Sequence, residues 1–173
     1  EGVCGEVIAG QLRTAPSALP KHSRAMRTLG GAIGKPLDDD DGRGGPGGWW
    51  ILLEVDVQLS EHDVVRPDLA GWLRASLPDP WDARPITVVP SWICEILSPP
   101  NAAHDRVTKA ALNAKHGVQH FWLVDPAERI LEAFELSGQL WTRIGSYDDS
   151  AIARIKPFEA IEPAVGVLFP PKP

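Results

Sequence analysis

Glu95 lies inside Ser91-Trp92-Ile93-Cys94-Glu95-Ile96-Leu97-Ser98, an apolar run that reads as a buried strand. Taking an ionised carboxylate out of water costs several kcal/mol, as a rough figure, unless a cation or hydrogen-bond donors compensate it. A second acid, Asp68, interrupts another apolar stretch, Val64-Val65-Arg66-Pro67-Asp68-Leu69-Ala70-Gly71-Trp72. Two acids on neighbouring strands that point into one space are the donor set for Mg²⁺ or Mn²⁺, which take hard oxygen ligands and keep several waters. The chemistry such a site supports is hydrolysis of a phosphate ester.

The remaining ionisable residues fit other centres poorly. His104, His116 and His120 lack an HExxH spacing, and Cys4 and Cys94 form no CxxC pair, which argues against zinc. The acidic and glycine-rich stretch Asp38–Gly48 has Leu37 and Gly48 where an EF-hand needs oxygen ligands. Its glycines also lack the GK[ST] ending of a phosphate loop, so it reads as a hairpin or lid connection. The 173-residue chain has a net charge of −6, which excludes bulk electrostatic coating of nucleic acid. Between Gln11 and Pro36, however, Arg13, Lys21, Arg24, Arg27 and Lys35 occur without an acid, and the first four are candidate phosphate contacts.

The elements that must position these groups follow from periodicity. Glu6–Leu12 reads as a short strand or turn, and Lys21–Ile33 as a helix stopped by Gly34 and Pro36. Trp49–Leu59 and Val64–Leu73 read as an antiparallel hairpin, with Glu54 and Asp56 on one face by period 2. Ile86–Leu97 is a third strand bent near Pro90, Ala102–His116 a helix closed by Gly117, and Gln119–Asp125 a buried strand. A hairpin around Ser137-Gly138 and an edge strand at Ile152–Phe158 complete the chain, ahead of a docked Pro-rich tail. The class is α/β, a mixed sheet flanked by helices in a single domain over residues 1–173, with a parallel crossover from Trp92 to Val124. Most tryptophans fall in strands and read as core; Trp81, in a Pro-rich loop, is the one candidate for stacking on a base.

The order helix, three strands, helix, strand, with PD on the second strand and an acid on the third, resembles the PD-(D/E)xK nuclease superfamily. Its wording is similar to the Uma-two family of restriction-endonuclease-like proteins. The matching stretches are Gly44–Trp50, Pro67-Asp68-Leu69-Ala70-Gly71-Trp72, Glu95-Ile96-Leu97-Ser98-Pro99, Asp105-Arg106, Lys109, Gly117-Val118 and Trp122–Pro126. The resemblance implies a restriction-endonuclease-like core with an added C-terminal β meander, Asp68 and Glu95 as metal ligands for Mg²⁺ or Mn²⁺, and DNA as partner. The superfamily places a lysine where this chain has Leu97; the resemblance implies that Lys109, on the following helix, replaces it as a catalytic residue. Asn113 stands where relatives carry Tyr. Glu54, His22 and Asn113 are secondary site candidates, and Glu6 is a further acid within reach of the N-terminal segment.

The expected function is a metal-dependent endonuclease hydrolysing the phosphodiester bonds of DNA. The alternatives are an inactive nuclease-fold module that binds nucleic acid or protein, and a phosphoesterase acting on RNA or a small molecule. No signal peptide pattern opens the sequence and no apolar stretch is long enough to span a bilayer, so a cytoplasmic protein with no membrane partner is expected. An uncovered edge strand near the C-terminus suggests a homodimer.

Overall fold

A computed structural model describes residues 4–15, 18–38, 45–99 and 102–172. Most of the Asp38–Gly48 connection lies outside these residues. The chain begins with a hairpin, β1 (Cys4–Ile8) and β2 (Gln11–Ala15), turning at Ala9-Gly10. Helix α1 (Pro20–Leu37) buries His22, Ala25, Leu29, Ile33 and Leu37, one stripe at helical spacing. It does not stop at Gly34. Pro36 sits in its last turn, Leu37 stays buried, and the Asp38 N–H still donates to the Gly34 carbonyl.

The expected long hairpin is present but is cut into two. Its first arm is β3 (Trp49–Leu53) and β4 (Val57–Ser60), and its second β5 (Asp63–Val65) and β6 (Leu69–Leu73). β3 pairs with β6 and β4 with β5, both antiparallel, but the two pairs belong to different sheets. The breaks fall at Glu54, which takes the left-handed φ of 50°, and at Pro67, which has no N–H for a ladder. Glu54 and Asp56 therefore do not share a strand face. A single uninterrupted strand could not bend from one sheet to the other; two kinked ones can.

Strands β7 (Trp92–Ile96), β8 (His120–Asp125), β9 (Ile130–Ser137) and β10 (Leu140–Asp148) complete the main sheet. Its order is β10-β9-β8-β7-β6-β3, with β7 and β8 parallel and every other pair antiparallel. β4, β5, β1 and β2 make a smaller antiparallel sheet. Between β7 and β8 runs one helical rod of three parts: α2 (Ala102–His104), a π-helical stretch (Asp105–Lys109) and α3 (Ala110–Lys115). Gly117, at φ 81°, ends it.

Alternation along β7 sorts the core into two layers. Trp92, Cys94 and Ile96 face α1 and the C-terminal segment, with Trp122, Val124, Phe158 and Phe169. Ile93 and Leu97 face the other way, with Phe121, Leu123, Leu112 and the small sheet's Val57 and Val65. Glu95 falls by parity on this second face, beneath the helical rod.

Residues Ile152–Phe158 do not form an edge strand; only the isolated bridge Ile152–Ala164 is made. Phe158 packs edge-on against Trp49, Trp92 and Trp122 at centroid distances of 5.0, 4.9 and 5.5 Å, so the segment crosses the sheet face. The Trp122 indole also donates to the Lys156 carbonyl at 2.7 Å. The open edge near the C-terminus is instead β10, where Leu140 is exposed.

Candidate active site

Asp68 sits in the kink between β5 and β6. Both its carboxylate oxygens are oriented: Oδ2 accepts the Ile96 N–H at 2.6 Å, and Oδ1 lies 3.0 Å from His22 Nε2. The sequence places His22 on the buried stripe of α1, and the fold brings that stripe to the start of β6. Burial disfavours the imidazolium, but the Asp68 hydrogen bond and charge outweigh it and raise the His22 pKa.

Glu95 is 3% exposed. Its Oε1 accepts from Lys109 Nζ at 3.0 Å, and among the described residues no hydrogen bond is formed to Oε2. Burial pushes its pKa well up; Lys109 opposes the shift, while Asp68, Asp105 and Glu6 add to it. Lys109 is the last residue of the π turn, with Asp105 the first. Asp105 Oδ1 is 3.6 Å from Nζ, and burial with the neighbouring acids raises its pKa to about 6 against the pull of Lys109. The 105–109 pair is thus not the surface ion pair that i,i+4 spacing alone suggests: both residues are buried.

Glu6 completes the cluster. Its Oε1 lies 3.0 Å from Lys109 Nζ and accepts the Arg66 N–H at 2.8 Å, tying β1 to the segment that carries Asp68. Burial works against the ammonium of Lys109, yet Glu95, Glu6, Asp105 and Asp68 together raise its pKa above the usual lysine value. It is a permanent cation. Sequence reasoning gave Glu6 little weight; the available signal was an acid beside the apolar Val7-Ile8.

The other candidates are dispersed. Glu54 is exposed in the kink beside the site, its N–H donating to the Asp68 carbonyl at 3.2 Å. Asn113, one turn beyond Lys109, is buried, and its Oδ1 has no hydrogen-bond partner among the described residues. Arg24 donates through Nε to the Phe169 carbonyl, so it docks the C-terminal segment. Lys21 is half-buried and Arg27 exposed on α1, while Arg13 is exposed on β2. The four basic residues do not make one stripe of free cations, because Arg13 lies on β2 and Arg24 is turned to the C-terminal segment.

Among the described residues no group of three or more His, Cys, Asp or Glu is arranged to hold a metal ion. The arrangement is a pair, Asp68 and Glu95. Two carboxylates with water and phosphate oxygens completing the shell suit Mg²⁺ or Mn²⁺, whereas a structural zinc site needs four protein ligands.

Residues 3–164 match the Uma2 family, described as "Putative restriction endonuclease". The chain belongs to the Uma2 family. A crystal structure titled as a putative nuclease belonging to DUF820 from Anabaena variabilis superposes with a TM-score of 0.74 at 22% identity, covering 95% of this chain and 88% of that one. It shares the fold, a restriction-endonuclease-like mixed sheet with few helices. No curated protein matches the chain. No helix among the described residues of this Uma2 protein is long and apolar enough to cross a membrane.

Proposed function

We propose that this Uma2 protein is a metal-dependent endonuclease acting on DNA, with Asp68 and Glu95 as metal ligands and Lys109 as the catalytic cation. The observation that carries the reading is the buried Lys109 ammonium 3.0 Å from Glu95. It arrives from the helical rod, while Leu97, at the position where the superfamily pattern has lysine, is turned into the core.

Bound at the two carboxylates, Mg²⁺ or Mn²⁺ would supply Lewis-acid polarisation of a phosphoryl oxygen and a water of lowered pKa. The protein's own groups do the rest. The Ile96 N–H and His22 Nε2 hold the Asp68 carboxylate in one orientation. Glu6 and Asp105 hold the Lys109 ammonium beside Glu95. Because Lys109 stays protonated, it serves as a fixed positive charge and donor toward charge developing on the phosphate, not as a base. A second copy of the chain pairing along the β10 edge would supply the second site needed to cut both strands of a duplex.

One observation favours a second reading, an inert nuclease-fold binding module: Lys109 already neutralises Glu95, and Asp68 has partners on both oxygens. Incubation of the protein with supercoiled plasmid DNA separates the two. Nicking or linearisation that requires Mg²⁺ or Mn²⁺, stops with EDTA and disappears in Glu95→Gln supports the endonuclease. DNA retained on the protein but left intact under every metal supports the module.

A further inference from the structure

Beside the site lies an open pocket of about 580 Å³ lined by Glu54, Val55, Asp56, Arg66, Trp81 and the loop residues that follow it. That is within the size range of small-molecule and cofactor sites, roughly 300–1,000 Å³. Pocket and site share a wall. Arg66 lines the pocket and Asp68 the site, two residues apart in the chain and so at most roughly 7 Å apart between Cα atoms. Glu54, on the pocket side, bonds through its N–H to the Asp68 carbonyl. Whatever enters the pocket is held next to the phosphate that the site would cleave.

Trp81 is 64% exposed, a large apolar surface with no core function. It is nevertheless held in place. Its ring stands edge-on to Trp50 at 5.1 Å, and its backbone N–H donates to Asp79 Oδ1 at 3.3 Å. Trp50 is pinned in turn, with its indole donating to the Leu77 carbonyl at 2.8 Å and the Arg74 guanidinium 4.0 Å over its ring. An exposed aromatic face on a fixed support is a stacking platform, and every nucleobase has a π-face to place on it.

Charge decides which part of a nucleotide fits. Asp56 engages both arginines of the pocket, Arg66 at 2.6 Å and Arg84 at 3.5 Å. Glu54 and Asp82 then leave the lining net acidic, which repels phosphate. Their carboxylates accept hydrogen bonds, as base amino groups require.

The geometry points to a nucleobase subsite, in which Trp81 stacks on an unpaired base next to the scissile phosphate while Glu54 and Asp82 accept from its exocyclic amino group. This deepens the endonuclease reading and rests on it: the substrate has an unpaired nucleotide at the cut, and cytosine, adenine or guanine is held better there than thymine.

The test is binding of fluorescent single-stranded oligonucleotides by anisotropy, with Ca²⁺ in place of Mg²⁺, to the parent, Trp81→Phe and Trp81→Ala. The controls are a blunt hairpin of the same sequence and oligo-dT against oligo-dC. Trp81→Ala should weaken single-strand binding about tenfold or more, leave hairpin binding within about twofold, and be rescued by Trp81→Phe. The parent should prefer oligo-dC. Equal binding by parent and Trp81→Ala, or equal weakening on strand and hairpin, overturns the subsite while leaving the endonuclease standing. A parent that binds neither oligonucleotide overturns both.

Discussion

Two buried carboxylates in this fold are treated in opposite ways. Asp63, in the small sheet, is 5% exposed and served on both oxygens: Oδ1 accepts the Ala9 N–H at 2.8 Å and Oδ2 accepts the Ser60 hydroxyl at 2.7 Å, with His116 Nε2 3.4 Å away as a charge neighbour. Burial disfavours its charge, but these donors outweigh it and the pKa falls below the ordinary value. Glu95, in the main sheet, is as deeply buried, has one donor among the described residues and three acids around it, and its pKa rises. The first carboxylate joins β1, β4 and the end of α3. The second is a carboxylate whose charge its surroundings disfavour, and such groups concentrate where chemistry is done.

The largest effect is expected on rate: Glu95→Gln should cut metal-dependent DNA cleavage about 10³-fold, while its urea midpoint without metal stays equal to the parent's or rises. Asp63→Asn, in contrast, should cleave DNA at close to the parent rate under conditions where it is folded. Next, Lys109→Met should lose about 3 kcal/mol of stability, because it leaves buried acids without their cation. The double variant Lys109→Met/Glu95→Gln should recover most of that loss, a coupling that urea titration of the cycle measures directly.

Smaller is the cost of Asp63→Asn, about 2 kcal/mol by urea unfolding, from the loss of charged hydrogen bonds. The least is a pH effect of opposite sign at the two places. Asp105, at about 6 in the folded protein, contributes stability that is present below its unfolded pKa and lost as pH rises toward 6. Asp63 contributes stability that is present above its unfolded value and lost as pH falls through its lowered folded value. Thermal melts in EDTA should therefore show lower stability at pH 7 than at pH 5, and Asp105→Asn should flatten that slope.

The part of this site readable from sequence is the part whose signal is local. An acid within Trp92–Ile96, a PD before Leu69 and a lysine four residues after Asp105 stand out against their neighbours, and the structure brings Asp68, Glu95, Lys109 and His22 to one cluster. The breaks at Glu54 and Pro67 were not readable as such. The alternation runs through both, and only the need to serve two sheets explains why the ribbon kinks there. The π turn at Asp105–Lys109 is invisible for the same reason, since its cause is the tertiary contact of Lys109 with Glu95 and Glu6. Likewise Ile152–Phe158 has strand-like composition but follows Phe158 into a cluster of three tryptophans.

The central claim is that Glu95 is kept for a divalent cation. Calorimetric titration of Mn²⁺ into the parent protein and into Glu95→Gln tests it most directly. Saturable binding is expected in the parent and none in the variant. Equal binding in both, or no binding in the parent at neutral pH, would contradict it.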